Sequence, residues 1–232
     1  GARLGVARKY FGFNEAVDKL MEEAIAAMKG QGAEIIDPAD LPSHGKFDDS
    51  ELTVLLYELK ANLNSYLATR PDAQVHSLKD VIDFNERNKA KEMPYFGQDL
   101  FIKAEAKGPL TEKEYLDALE TSHRLSRREG IDAVMDKFQL DAIVAPTSGP
   151  AWLTDFLNGD HFGGGSSNAA AVAGYPDITV PAGFTSGLPV GISFFGRAWS
   201  EPTLLKLAYA FEQATKLRRT PRFLSRVDIK GA

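Results

Sequence analysis

Short apolar runs alternate along this chain with stretches whose apolar residues recur at helical spacing, and that alternation lays out the elements. Leu4–Ala7 reads as a short strand. Asn14 follows as an N-cap, ahead of Val17, Leu20, Met21, Ala24, Ile25 and Met28 on one helical face, and Gly30 and Gly32 stop that helix. Ala33–Ile36 supplies a second strand, so the order strand–helix–strand predicts a parallel crossover. Leu52, Leu55, Leu56, Leu59, Leu63, Tyr66 and Leu67 make an apolar stripe on a helix that ends near Pro71, and Ser77 caps a short helix through about Asn88. Lys89–Lys107 is polar, holds Pro94 and Gly97, and is expected to be an irregular surface or site-lining loop.

Thr111 and Glu114 have the spacing of a capping box for a long helix running to about Phe138. Asp141–Ala145 then reads as a compact buried strand, broken by Pro146–Pro150. Ile178–Pro181 and Pro189–Phe195 read as two strands joined at Thr185-Ser186-Gly187, a hairpin signal. Ser200 is placed to cap a last helix carrying Leu204, Leu207, Ala208, Phe211 and Ala214, with Pro221 as its stop and a peripheral basic tail beyond. The predicted fold class is α/β, a mixed β-sheet flanked by helices, with at least one antiparallel pair and no internal repeat or linker over residues 1–232.

Composition narrows the function classes. The chain has 232 residues, 44% hydrophobic and 25% charged, enough for one sizeable core. A net charge of −5 gives no global field toward nucleic acid or an anionic membrane, and no apolar run is long enough to span a bilayer. The cluster Arg124, Arg127 and Arg128 and the pair Arg218–Arg219 fit solvated helix faces and ends. Absence of cysteine excludes disulfides, thiolate metal sites and a cysteine nucleophile, and fits a cytoplasmic protein. His44, His76, His123 and His161 lack metal-ligand spacing, so neither a metal nor another cofactor is expected. The opening GARLGVARKYF has no initiator Met and no signal-peptide core, and is expected to start inside a larger protein.

Two places hold candidate chemistry. Ser166 and Ser167 sit in a glycine-rich loop whose backbone N–H groups could form an oxyanion nest, with His161, Asp155 and Asp160 close in sequence. A stand-alone serine hydrolase can be assembled from these residues. Against it, Asn158-Gly159-Asp160 is a turn, whereas a G-x-S-x-G elbow needs a strand just before its serine. The other place is Ala145-Pro146-Thr147-Ser148-Gly149-Pro150, directly after a buried strand, where open α/β sheets bind ligands. His123 is expected to be an ordinary helix-face residue.

The run Leu140-Asp141-Ala142-Ile143-Val144-Ala145-Pro146-Thr147, then Ala173-Gly174-Tyr175-Pro176, Ile178-Thr179-Val180-Pro181-Ala182-Gly183 and Gly187-Leu188-Pro189-Val190-Gly191 with Phe195-Gly196, resembles the C-terminal half of amidase signature enzymes. The opening GARLGVARKYFGF and Ser126-Arg127-Arg128-Glu129-Gly130-Ile131-Asp132 are similar to that family as well. The resemblance covers nearly the whole chain and keeps the order of its segments. It implies amide hydrolysis by a Ser–cis-Ser–Lys arrangement whose members lie in the first half of such enzymes, the nucleophile in a loop of the type GGSSGGS. That motif does not occur here, and Gly164-Gly165-Ser166-Ser167-Asn168 matches a different loop.

The resemblance therefore implies a C-terminal amidase portion without its catalytic half, inactive alone. Its residues toward a small-molecule amide substrate would be Pro146, Thr147, Asp160, Ser166 and Ser167. The amidotransferase components that resemble the same family and work inside a complex are an alternative. Apolar stripes left by half a sheet also open a route to self-association.

Overall fold

The computed structural model describes residues 1–221 and 223, which fall into two compact units. The first comprises Gly1–His44, His123–Asp155 and the chain from Gly159 onward. Its five-stranded sheet is built from β1 (Arg3–Val6), β2 (Glu34–Ile36), β3 (Ala142–Pro146), β4 (Asp177–Thr185) and β5 (Leu188–Phe195), in the order β2–β1–β3–β5–β4. β1 pairs in parallel with β2 and β3, and α1 (Glu15–Gly30) makes the predicted crossover. Asn14 caps α1 as its position demands, Oδ1 accepting from the N–H groups of Ala16 and Val17 at 3.0 and 3.1 Å. β5 runs antiparallel to both β3 and β4. The β4–β5 hairpin closes through Ser186 and Gly187 at φ 49° and 76°, the two positive values that a turn matching strand twist requires.

Alternation along the strands sorts their side chains onto two faces. Leu4, Val6, Val144, Val180, Ile192 and Phe194 pack with Val17 and Met21 of α1 and with Leu204 and Phe211 of α9 (Glu201–Thr215) into one apolar core. Each such buried side chain contributes roughly 1.5–3 kcal/mol of transfer free energy. The opposite pleat carries Ile143, Ala145, Ser193 and Phe195, and on β4 the more open Asp177 and Thr179.

Two helix boundaries differ from expectation in this unit. Ser200 stands at the start of α9, yet its hydroxyl donates back to the Arg197 carbonyl at 2.7 Å rather than capping. The helix ends at Thr215, where Lys216 adopts a left-handed conformation, and not at Pro221. The basic tail after Pro221 lies outside the described residues, apart from Phe223.

The second unit, Gly45–Ser122 with Phe156–Asn158, is helical: α2 (Asp48–Ala68), α3 (Leu78–Arg87), α4 (Lys89–Glu92), α5 (Asp99–Glu105) and most of α6 (Lys113–Ser126). Ser77 caps α3, its Oγ accepting from the Asp80 N–H at 3.1 Å. The irregular loop expected over Lys89–Lys107 is confined to residues 93–98, with Pro94 and Gly97, and to the last two residues; the rest is α4 and α5. The acidic and basic residues of α5 hide a short apolar face, which packs Phe101 and Ala104 with Leu56, Leu59, Leu63 and Leu78.

The α2 stripe is only half used. Leu56, Leu59, Leu63 and Leu67 are buried or half-buried, whereas Leu52, Leu55 and Tyr66 face solvent. The long helix does run to Phe138, with a π turn at Arg127–Ile131 set between α6 and α7 (Asp132–Phe138). Glu114 does not close a capping box, because its carboxylate accepts from the Tyr57 hydroxyl at 2.8 Å and from Lys107 Nζ at 2.6 Å.

Candidate functional site

β3 ends at Pro146, and the chain leaves the sheet there between two neighbours. Thr147 N–H still donates to the Gly191 carbonyl of β5 at 2.9 Å, which holds its side chain beside the polar pleat of β4 and β5. Thr147 Oγ1 lies 2.6 Å from Thr179 Oγ1 and 3.1 Å from Ser193 Oγ. Thr179 and Ser193 are directly opposed in the hairpin register, so three hydroxyls from three segments meet at the carboxyl end of β3. Asp177 lies two residues before Thr179 on the same pleat, with the Ser193 hydroxyl near its carboxyl. Burial of its carboxyl raises its pKa to about 6, against the Ser193 hydroxyl, which favours the charged form. Part of the residue stays open to water.

The glycine-rich loop closes on this end of the sheet. Ser148 and Gly165 form an antiparallel bridge, and Ser166 N–H donates to the Thr147 carbonyl at 3.3 Å. Ser166 is fully buried, and its hydroxyl donates to the Pro146 carbonyl at 2.9 Å. The approach demands glycine: a Cβ at Gly165 would stand 2.8 Å from the Thr147 carbonyl oxygen. Gly164 has φ +150°, and a Cβ there would meet the Phe13 ring at 2.8 Å.

Ser167 then opens α8 (Ser167–Ala173) and is exposed. Arg127 of the π turn steadies the far end of α8, its Nε donating to the Ala173 carbonyl at 2.7 Å. The Oδ1 of Asn168, next in the helix, is buried and accepts no hydrogen bond among the described residues.

Pro146, Thr147 and Ser166 are thus brought together, with Ser167 at the adjoining helix start. Asp160 is exposed and accepts from the Trp152 indole Nε1 at 3.1 Å. His161 pairs with Asp155, Nε2 to Oδ2 at 3.3 Å. Asp177, Thr179, Ser193 and Phe13 did not emerge from the sequence as site residues. The available signal was polar residues at alternate positions, 177 and 179, with 193 inside an otherwise apolar strand.

Among the described residues no group of three or more His, Asp or Glu is arranged to hold a metal ion, and no helix is long and apolar enough to cross a membrane. An apolar hollow of ≈ 280 Å³ between α1 and α9, lined by Met28, Phe194 and Phe211 among others, shares no residue with the hydroxyl cluster.

The family model described as Amidase matches residues 1–205. The chain belongs to the amidase family. A crystal structure of a peptide amidase with the competitive inhibitor chymostatin superposes with TM-score 0.91 at 44% identity, over 96% of this chain and 45% of that one. A probable amidase of Arabidopsis thaliana is 37% identical over 97% of this chain and 40% of its own length. A glutamyl-tRNA(Gln) amidotransferase component of Desulforudis audaxviator is 29% identical over 94% of this chain and 45% of its own length. The chain therefore spans less than half the length of these relatives, and its sheet matches part of the amidase fold.

Proposed function

We propose that this chain is the C-terminal portion of an amidase that cleaves carboxylic amides, and that it supplies substrate-binding wall rather than the nucleophile. The observation that carries this reading is the hydrogen bond from Ser166 to the Pro146 carbonyl. A serine nucleophile needs its proton accepted by a base and its oxygen open to a carbonyl carbon. Ser166 instead donates its hydroxyl hydrogen bond to a main-chain oxygen in a fully buried position, where it fastens the glycine-rich loop to the end of β3. Ser167 is exposed at the start of α8 and suits contact with a substrate rather than activation.

By the family resemblance, a lysine, a cis-serine and a nucleophilic serine outside this chain would form and hydrolyse an acyl-enzyme. Thr147, Ser167 and Asp160 would bind and orient the amide beside them, with Ser166 and Pro146 holding Thr147 in place. The orphan Asn168 oxygen supports a missing donor, since a buried acceptor without a partner costs on the order of 1–3 kcal/mol. The likeness to a peptide amidase makes peptide amides the first substrate class to test. A role as one component of an amidotransferase complex has weaker support, at 29% identity against 44%.

The test is ammonia release from peptide amides, by this chain alone and after joining it to the part of the peptide amidase it does not match. Turnover is expected only in the joined form, with kcat/KM lowered about tenfold by Thr147→Val, the loss of roughly 1.4 kcal/mol of transition-state binding. Serine-dependent turnover by the chain alone overturns the reading.

A further inference from the structure

Beside the hydroxyl cluster the loop after Pro150 turns two aromatic side chains toward solvent. Trp152 is 41% exposed and Phe162 is 62% exposed, and their rings meet edge to face with centroids 5.9 Å apart. Both are held in place. The indole Nε1 donates to Asp160, and the tip of the Phe162 ring lies 3.5 Å from where a Cβ on Gly165 would stand, one residue before Ser166. On the other side of the same loop, Phe13 fills the space that side chains at Gly163 and Gly164 would need.

Adjoining exposed rings make a contiguous apolar patch, and such patches mark binding surfaces where single exposed rings do not. Two occupants are conceivable, protein or substrate, and the surroundings favour substrate. The loop that carries the rings also carries Asp160 and the Asp155–His161 pair, and a dry protein interface excludes such charges from its centre. A ligand site has the opposite character, with apolar walls and a few placed polar groups.

We propose that Trp152 and Phe162 form a specificity shelf that takes an aromatic side chain of the amide substrate, next to the loop pair that holds its amide. The inference rests on the reading that Thr147 and Ser167 face substrate. It deepens that reading by naming the substrate class: amides whose acyl part carries an aromatic ring. Ring-on-ring contact discriminates such a substrate from its glycine counterpart by apolar area and by edge-to-face geometry, neither of which a hydroxyl cluster supplies. Besides its place beside the amide, Asp160 positions the shelf, since its carboxylate accepts the indole N–H of Trp152.

The chain contains two tryptophans, Trp152 and Trp199, and Trp199 is 88% exposed. Trp199→Phe therefore leaves Trp152 as the only indole reporter. Titration of that variant with N-acetyl-phenylalaninamide is expected to give a saturable change in Trp152 emission, at an apparent Kd about tenfold or more below that for N-acetyl-glycinamide. N-acetyl-argininamide should follow the glycine compound.

Phe162→Leu, which keeps apolar volume and removes the ring, should erase most of the preference while far-UV circular dichroism stays unchanged. Asp160→Asn should lower the preference less, and also shift the unliganded Trp152 emission, a readout that loss of packing elsewhere would not move.

Equal affinities for the phenylalanine and glycine compounds overturn the proposal, as do tighter binding of the arginine compound or no saturable change. A shift in Trp152 emission that follows protein concentration without ligand, with a doubling of mass by light scattering, assigns the shelf to a second copy and also overturns it. Ammonia measured in the same samples reports separately on the amidase reading, because the shelf is judged by binding alone.

Discussion

The sheet unit and the helical unit each carry a characteristic set of unusual side chains. In the first, hydroxyls are gathered and bonded to one another, Thr147 to Thr179 and Ser193, and Ser166 fastens two loops together. In the second, apolar groups are left unsatisfied: Leu52, Leu55, Tyr66, Leu100, Ile102 and Leu116 are all about half exposed. The helical unit buries Phe47, Leu56, Tyr57, Leu78, Ala104 and Tyr115, and the sheet unit has a continuous core from Leu4 to Phe211. The difference teaches where stability and chemistry lie. Directional polar contacts placed on a well-packed sheet hold a site in one geometry. Exposed leucines on a helix hold nothing by themselves.

Five perturbations sharpen that contrast, the largest first. Phe194→Ala removes a fully buried ring from the sheet core and should cost about 3–5 kcal/mol, read from urea unfolding by tryptophan emission. Both indoles lie in the sheet unit, so this transition reports on that unit. Ser166→Ala leaves the Pro146 carbonyl without its donor and should cost about 1–3 kcal/mol in the same assay.

The third concerns pH. Asp177 has its pKa raised in the folded chain from 3.8 to about 6, so the folded state holds that proton more tightly than the unfolded state does. Its contribution is fully present below about pH 4 and is lost as pH rises through about 6. Asp177→Asn should flatten that decline and leave the variant relatively more stable at pH 7 than at pH 4. The smallest effects belong to Leu55→Lys in the helical unit and Ser167→Ala at the start of α8. Each should change stability by no more than about 0.5 kcal/mol, because both side chains are exposed.

Much of the sheet unit was legible in the sequence because its signals are local. Asn14 before a helical stripe marks the start of α1, and Ser186-Gly187 between two apolar runs marks the hairpin turn. Of the candidate residues, Pro146, Thr147, Ser166 and Ser167, picked out by a buried strand's end and a glycine-rich loop, lie together in the structure, whereas Asp160 is turned to Trp152. Thr179 and Ser193 escaped because a hydroxyl cluster depends on strand register, and register is set by partners distant in the chain.

The helical unit was harder to anticipate for a related reason. α5 has too few apolar residues to stand out among its charges, and the stripe on α2 gives no sign of how much of it the neighbouring helices cover. The helix to Phe138 was legible, but not the π turn within it at Arg127–Ile131, since one extra residue in a turn leaves no local signal.

The central claim is that this amidase-family chain supplies the wall of a site and not its nucleophile. Labelling of the purified chain with a fluorophosphonate probe, alongside Ser166→Ala and Ser167→Ala, tests it most directly. The account predicts no covalent adduct by mass spectrometry in any of the three. An adduct on the unsubstituted chain that disappears in either variant would contradict it.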